Sequence, residues 1–171
     1  YNKDLFEQYG LTPPTTQDEF DALCQTLKDN GVDPFIRCNS NVTYPDIEMR
    51  GILWPLLLEN GHNDAFEALM NGEAQFADYP EFAKAFELWG RRLAFNRMDD
   101  MSNDTTMARQ KIAAGEGAMI YDGTWAFAQI QSFNPEVNYG MFVLPRDDGK
   151  ENSWCIQLDQ LFMISNESKH E

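Results

Sequence analysis

Twice in this chain a well-capped helical stretch ends at a glycine and is followed at once by a short apolar run, and that alternation limits the folds open to it more than any other feature. In the first instance Thr16 and Glu19 make a capping box, Phe20, Leu23, Cys24 and Leu27 recur at helical spacing, and the pattern predicts a helix over 17–30. Gly31 stands where a left-handed terminating residue belongs, and Val32 to Cys38 then reads as a strand. In the second, Asn103, Asp104 and Thr105 offer caps for a helix through Ala114, Gly115 ends it, and Ala118 to Tyr121 reads as a buried strand. Strands that alternate with helices must bury both faces of a sheet, so the expected class is α/β, with helices packed around a mixed sheet.

The remaining segments fill in this scheme. Met49, Ile52, Leu53, Leu56 and Leu57 form a helical face after the polar loop 39–46. Pro55 cannot donate a backbone hydrogen bond and clashes one turn back, so that helix is expected to begin near Gly51 or Ile52. Pro80 suits the first turn of another helix, on which Phe82, Phe86, Trp89 and Leu93 make one apolar stripe expected in the core. Trp125 to Gln131 reads as helix, and Tyr139 to Leu144 and Cys155 to Ile164 read as strands.

Several functions are disfavoured by composition. With 171 residues, 43% of them hydrophobic, there is enough apolar mass for one core without metal or disulfide staples. A formal charge of -15 repels phosphate backbones and anionic lipid, which argues against nucleic-acid and membrane-surface binding and for an uncharged or cationic ligand. The longest apolar run, Gly51 to Leu58, falls well short of the roughly 20 residues a membrane span needs. Cys24, Cys38 and Cys155 show no CxxC spacing, and His62 and His170 are the only histidines. A zinc site and nucleophilic catalysis therefore lack their usual parts, and neither a metal nor another cofactor is expected. The cysteines are expected as buried free thiols, with Cys24 and Cys38 the one pair worth checking.

Four stretches, in order, resemble the family 1 extracellular solute-binding proteins, the group of the maltose-binding protein. They are Tyr1-Asn2-Lys3-Asp4-Leu5-Phe6 with Pro13-Pro14-Thr15-Thr16; Asn71-Gly72-Glu73-Ala74 leading to Tyr79-Pro80-Glu81-Phe82; Ala114-Gly115-Glu116-Gly117-Ala118-Met119 with Asp122-Gly123-Thr124-Trp125-Ala126; and Asn138-Tyr139-Gly140-Met141 through Leu144-Pro145. The resemblance implies one lobe of a two-lobed, periplasmic-binding-protein-like fold of type II. Residues 1–155 would form the second lobe of the clamp, and 156–171 would hold a return strand toward a first lobe outside this sequence. It further implies an extracellular or periplasmic location, with lipid anchoring at the cell surface as one option. A monomer would capture a sugar or oligosaccharide without catalysis and present it to the membrane subunits of an ABC importer.

A sugar ring offers one apolar face and a rim of hydroxyls, so its site needs a flat aromatic surface beside carboxylates and amides. Trp125, after a strand and Gly123 at a helix start, fits that need or else packs the core; the resemblance assigns it to ligand stacking. Asp122 beside it either accepts hydroxyls or caps the helix. Trp54 stacks or, the better reading, packs, while Tyr44, Asp46 and Glu48 are candidate hydroxyl partners. Trp154 and Arg50 are weaker candidates. Two alternatives stay open: a carbohydrate-active enzyme using a carboxylate pair such as Asp122 with Asp46 or Glu48, and a ligand-sensing module of a signalling receptor.

Overall fold

The computed structural model describes residues 1–95, 101–147, 151–152, 165 and 167–168. Both helix–glycine–strand units form as expected. Helix α1 covers Lys3–Gln8 and helix α2 Gln17–Asp29. At the start of α2 the Thr16 hydroxyl accepts from the Glu19 N–H at 3.2 Å, and the Glu19 carboxylate accepts from the Thr16 N–H at 3.2 Å. Gly31, at φ 75°, turns the chain into β1, Asp33–Ile36, which is buried along its whole length. The second unit comprises α6, Thr105–Ala113, capped by Asp104, then Gly115, also at φ 75°, and β2, Gly117–Ile120. The strands pair in parallel, Phe35 opposite Met119 and Ile36 opposite Ile120.

Parallel strands need a crossover, and here it carries α3 (Thr43–Glu59), α4 (Ala65–Asn71) and α5 (Pro80–Leu93) before α6; α7, Ala126–Phe133, follows β2. Phe6, Phe20, Leu23, Leu27, Phe35 and Met119 close one side of the strand pair. Ile36, Ile112, Ala126 and Ile130 close another, so helices cover the sheet as an α/β layer arrangement requires. A separate cluster joins α3 to α5 through Leu53, Leu57, Phe82, Ala85 and Leu88.

Two local expectations are corrected here. Helix α3 begins at Thr43, about two turns before Gly51, and runs straight past Pro55. An interior proline costs roughly 3 kcal/mol. Burying Ile52, Leu53, Leu56 and Leu57 returns about 1.5–3 kcal/mol for each, so packing outweighs propensity. The stripe on α5 is the second correction. Phe82 is buried, but Phe86 is 57% exposed and Trp89 and Leu93 are only half-buried. The helix is turned so that Ala85 and Leu88 face inward, while buried Arg92 donates to the Gln17 side chain at 3.2 Å and the Pro145 carbonyl at 2.6 Å.

The expected strand 139–144 shrinks to an edge contact. Asn2 bridges Tyr139 antiparallel, and its N–H donates to the Ala118 carbonyl at 2.8 Å, so residues 1–2 lie between β2 and Tyr139. Beyond Gly140 no ladder continues among the described residues. Cys24 and Cys38 are buried free thiols in different clusters. The expected strand 155–164, the return strand after 156 and Trp154 lie outside the described residues.

Candidate functional site

Both parallel strands run toward one end of the sheet; the loop leaving β2 there carries Asp122 and Trp125, whereas Tyr44, Asp46, Glu48 and Trp54 all lie on α3. After β2 come Tyr121, Asp122, Gly123, Thr124 and Trp125, the last standing just before α7. Trp125 is 56% exposed. Its six-membered ring lies over Gly123 so closely that a Cβ there would stand 2.2 Å from the ring. A glycine is therefore required for the exposed indole to approach the backbone at this point.

Asp122 is held in place. Its Oδ2 accepts from Arg109 Nε at 2.8 Å, and its Oδ1 accepts from Arg109 Nη2 at 3.1 Å and from the Gly123 N–H at 2.8 Å. The side chains of the pair are 8% and 5% exposed. Arg109 reaches further, donating to the Gln129 side chain on α7 and to the Tyr44 hydroxyl at 3.0 Å. Burial opposes the Arg109 charge, but the hydrogen bonds and charge of Asp122 outweigh it and raise the guanidinium above its ordinary pKa. One side chain from α6 thus ties together the start of α3, the loop after β2 and α7.

The other candidates separate. Tyr44 belongs to this network, half-buried, through its hydroxyl. Asp46 is exposed and pairs with Arg50 at 2.8 Å one turn along α3. Trp54 packs on Phe66 with ring centroids 5.1 Å apart, as the packing alternative expected. Glu48 is a correction: it is 2% exposed, and its carboxylate is taken by Arg37 and by the Trp89 indole N–H at 3.2 Å. The early start of α3 explains this, since Glu48 falls one turn before buried Ile52 on the inner face. Glu48, enclosed in this way, is not open to a ligand hydroxyl as the sequence had suggested.

Sequence reasoning missed Arg109 and Tyr121. The signal for Arg109 was present, since it shares a helical face with Ile112 and Ala113, both buried, and a cation on a buried face calls for an acid. Tyr121 extends toward α3, where its hydroxyl would stand 2.3 Å from a Cβ placed on Gly51. Behind Gly123 lies a small cavity of about 60 Å³ bordered by Ile112, Ile120, Ala126, Ile130 and Tyr139. Burial raises the Tyr139 hydroxyl to a pKa of about 12.

Comparison with known proteins bears on the whole chain. The family model described as bacterial extracellular solute-binding protein matches residues 1–171. An uncharacterized ABC transporter extracellular-binding protein of Pyrococcus horikoshii is 30% identical over 149 residues, 85% of this chain and 33% of the relative. The melibiose/raffinose/stachyose-binding protein MelE of Bacillus subtilis is 20% identical over 148 residues, 85% of this chain and 34% of its own. The chain thus spans about a third of the length of these curated relatives. Among solved structures, a sugar transporter protein of Bacillus licheniformis in complex with stachyose superposes with a TM-score of 0.69 at 25% identity, over 90% of this chain and 41% of that one. The solute-binding protein RafE in complex with raffinose gives a TM-score of 0.72 at 23% identity, over 89% and 39%. The fold is that of part of one lobe of a type II periplasmic-binding-protein architecture. With a family model matched from its first residue to its last, the chain belongs to the bacterial extracellular solute-binding proteins.

Proposed function

We propose that this chain forms one wall of a carbohydrate-binding site in the extracellular receptor of an ABC uptake system, and that binding proceeds by closure of two lobes without catalysis. The observation that carries this is Trp125, an indole 56% exposed and seated on Gly123 at the carboxyl end of β2. Ligands of open α/β sheets bind at that end, and an open aromatic face suits the apolar face of a pyranose. Relatives described as binding melibiose, raffinose and stachyose support a sugar as the ligand class.

The enzymatic alternative finds less support. A glycosidase needs two carboxylates facing each other across a bond, whereas Asp122 and Glu48 each sit in an ion pair with an arginine. Delivery to the membrane subunits of an importer, a monomeric state and anchoring at the cell surface belong to the same proposal, which family membership supports.

Titration calorimetry of the full-length, two-lobed protein against a panel containing raffinose, stachyose and melibiose tests it. A Trp125→Ala variant is expected to weaken the sugar that binds by at least about tenfold, or 1.4 kcal/mol, with its melting temperature little changed. This chain alone, presenting a single wall, is expected to bind no tighter than about millimolar, because half the ligand surface stays in water. Unchanged affinity in Trp125→Ala would move the site elsewhere.

A further inference from the structure

The chain as a whole carries a formal charge of -15, which would draw cations toward any acidic site it exposes. Asp122 lies three residues before the exposed indole on the same loop, and its Oδ1 accepts from the N–H of Gly123, the residue the indole rests on. It does not stand alone, because Arg109 grips both its oxygens, at 2.8 and 3.1 Å, with both side chains almost wholly buried. The clamp is over-determined: Tyr44 and Gln129 also accept from the same guanidinium, and the Gly123 N–H holds Oδ1. Asp46 and Arg50, the charged pair on the first turns of α3, likewise cancel each other. Asp104 is committed to capping α6, where it accepts from the Met107 N–H at 2.8 Å.

We infer that Arg109 is a specificity-determining residue: by neutralising Asp122 beside Gly123, on which the indole rests, it makes this wall select uncharged saccharides over amino sugars, against the acidic character of the rest of the chain. The inference rests on the sugar-binding reading above and assigns Arg109 no contact with ligand. The physical reason is the low local dielectric. A buried charge next to the platform acts on a bound ammonium or carboxylate with little screening. A compensated pair presents only a dipole. Removing either partner leaves a full charge of known sign, and specificity then follows that sign.

The test uses the full-length protein and three probes of matched shape, galactose, galactosamine and galacturonate, with raffinose as a neutral reference, by calorimetry at pH 7. The wild type is expected to prefer galactose to both charged sugars. Arg109→Met should shift the galactosamine-to-galactose affinity ratio at least about tenfold toward the cation. Asp122→Asn should shift the galacturonate ratio similarly toward the anion. The double variant, neutral again, should return the preference to galactose even if all affinities fall, which a merely structural role would not produce. Arg109→Lys keeps the charge and should keep the neutral preference. Melting curves identify a variant that fails to fold, and the oppositely signed variant then decides. Wild type without a neutral preference, or ratios unmoved by both single variants, overturns the inference while raffinose binding keeps the sugar reading. Loss of all sugar binding in the wild type overturns both.

Discussion

Two arginine–carboxylate pairs stand at the carboxyl ends of the two parallel strands, and they differ in what closes over them. Arg37 directly follows β1, lies over the Phe35 ring at 4.7 Å and pairs with Glu48, which also takes the Trp89 indole N–H from α5. Asp122 follows β2, accepts from the Gly123 N–H and pairs with Arg109, which also donates to Tyr44 and Gln129. The first pair is roofed by the helical layer formed by α3 and α5. The second lies next to an exposed tryptophan. The same pairing chemistry thus serves as an internal tie at one strand end and fixes the loop that carries the exposed Trp125 at the other.

The largest expected effect belongs to Glu48. Removing one partner of a buried pair leaves an uncompensated charge, at a typical cost of about 3–5 kcal/mol. Glu48→Ala is therefore expected to lower stability by that amount in chemical denaturation, with ligand affinity per folded molecule nearly unchanged. A loss below about 1 kcal/mol would mean that Arg37 finds water, and the contrast between the two ends would vanish.

Next in size are the neutral hydrogen-bonding partners of each pair. Trp89→Phe removes the indole N–H from Glu48 while keeping an aromatic ring, and a hydrogen bond to a charged group is worth about 1.5–3 kcal/mol. Tyr44→Phe removes only the hydroxyl that accepts from Arg109, which keeps its bonds to Asp122 and Gln129. Its stability cost is expected near 1 kcal/mol, with the larger readout in binding. Equal costs in urea titrations would show that the two pairs are equally enclosed. Native-state alkylation separates the core from the strand ends in another way. Burial pushes the Cys24 thiol to about 12, so mass spectrometry after iodoacetamide at pH 8 should find Cys24 unmodified in the folded protein and labelled once it is unfolded.

The contrast between the two ends also explains what could be foreseen from the sequence. The helix–glycine–strand units were legible because capping boxes, aspartate caps and left-handed glycines act locally, within a few residues of Thr16, Asp104, Gly31 and Gly115. The start of α3 was not, because the local veto of Pro55 is overruled by Leu53, Leu56 and Leu57 packing against a helix some thirty residues later. Misplacing that start made Glu48 look like an exposed site residue. Trp125 was only half legible: the residues alone left core packing open and read it as the first residue of a helix, and it was the family resemblance that assigned it an exposed ring. Its close approach to Gly123 depends on a side-chain position that no local pattern records. Arg109 was not legible, because its partners Asp122, Tyr44 and Gln129 come from three other segments, and a pairing of that kind has no local signature. Phe86 was misjudged for a related reason: a stripe fixes which residues share a face, but the partner helix decides which face turns inward.

The smallest effect belongs to Asp46, the candidate that stands outside both pairs. It is exposed, lies in the first turn of α3 and pairs with Arg50 at i,i+4. Exposed pairs of this geometry are worth about 0.3–0.5 kcal/mol. Proximity to a helix N-terminus adds roughly 0.3–1 kcal/mol at low ionic strength. Asp46→Ala is therefore expected to cost about 1 kcal/mol or less. The cost should shrink further in 0.5 M salt, where exposed charges are screened over about 4–5 Å, whereas that of Glu48→Ala should stay nearly constant. Salt dependence, more than magnitude, separates a solvated charge from an enclosed one. If Asp46→Ala also weakens sugar binding in the full-length protein by tenfold or more, the ligand surface extends from the Trp125 platform along the first turns of α3. If affinity is unchanged, Asp46 lies outside the proposed sugar contacts.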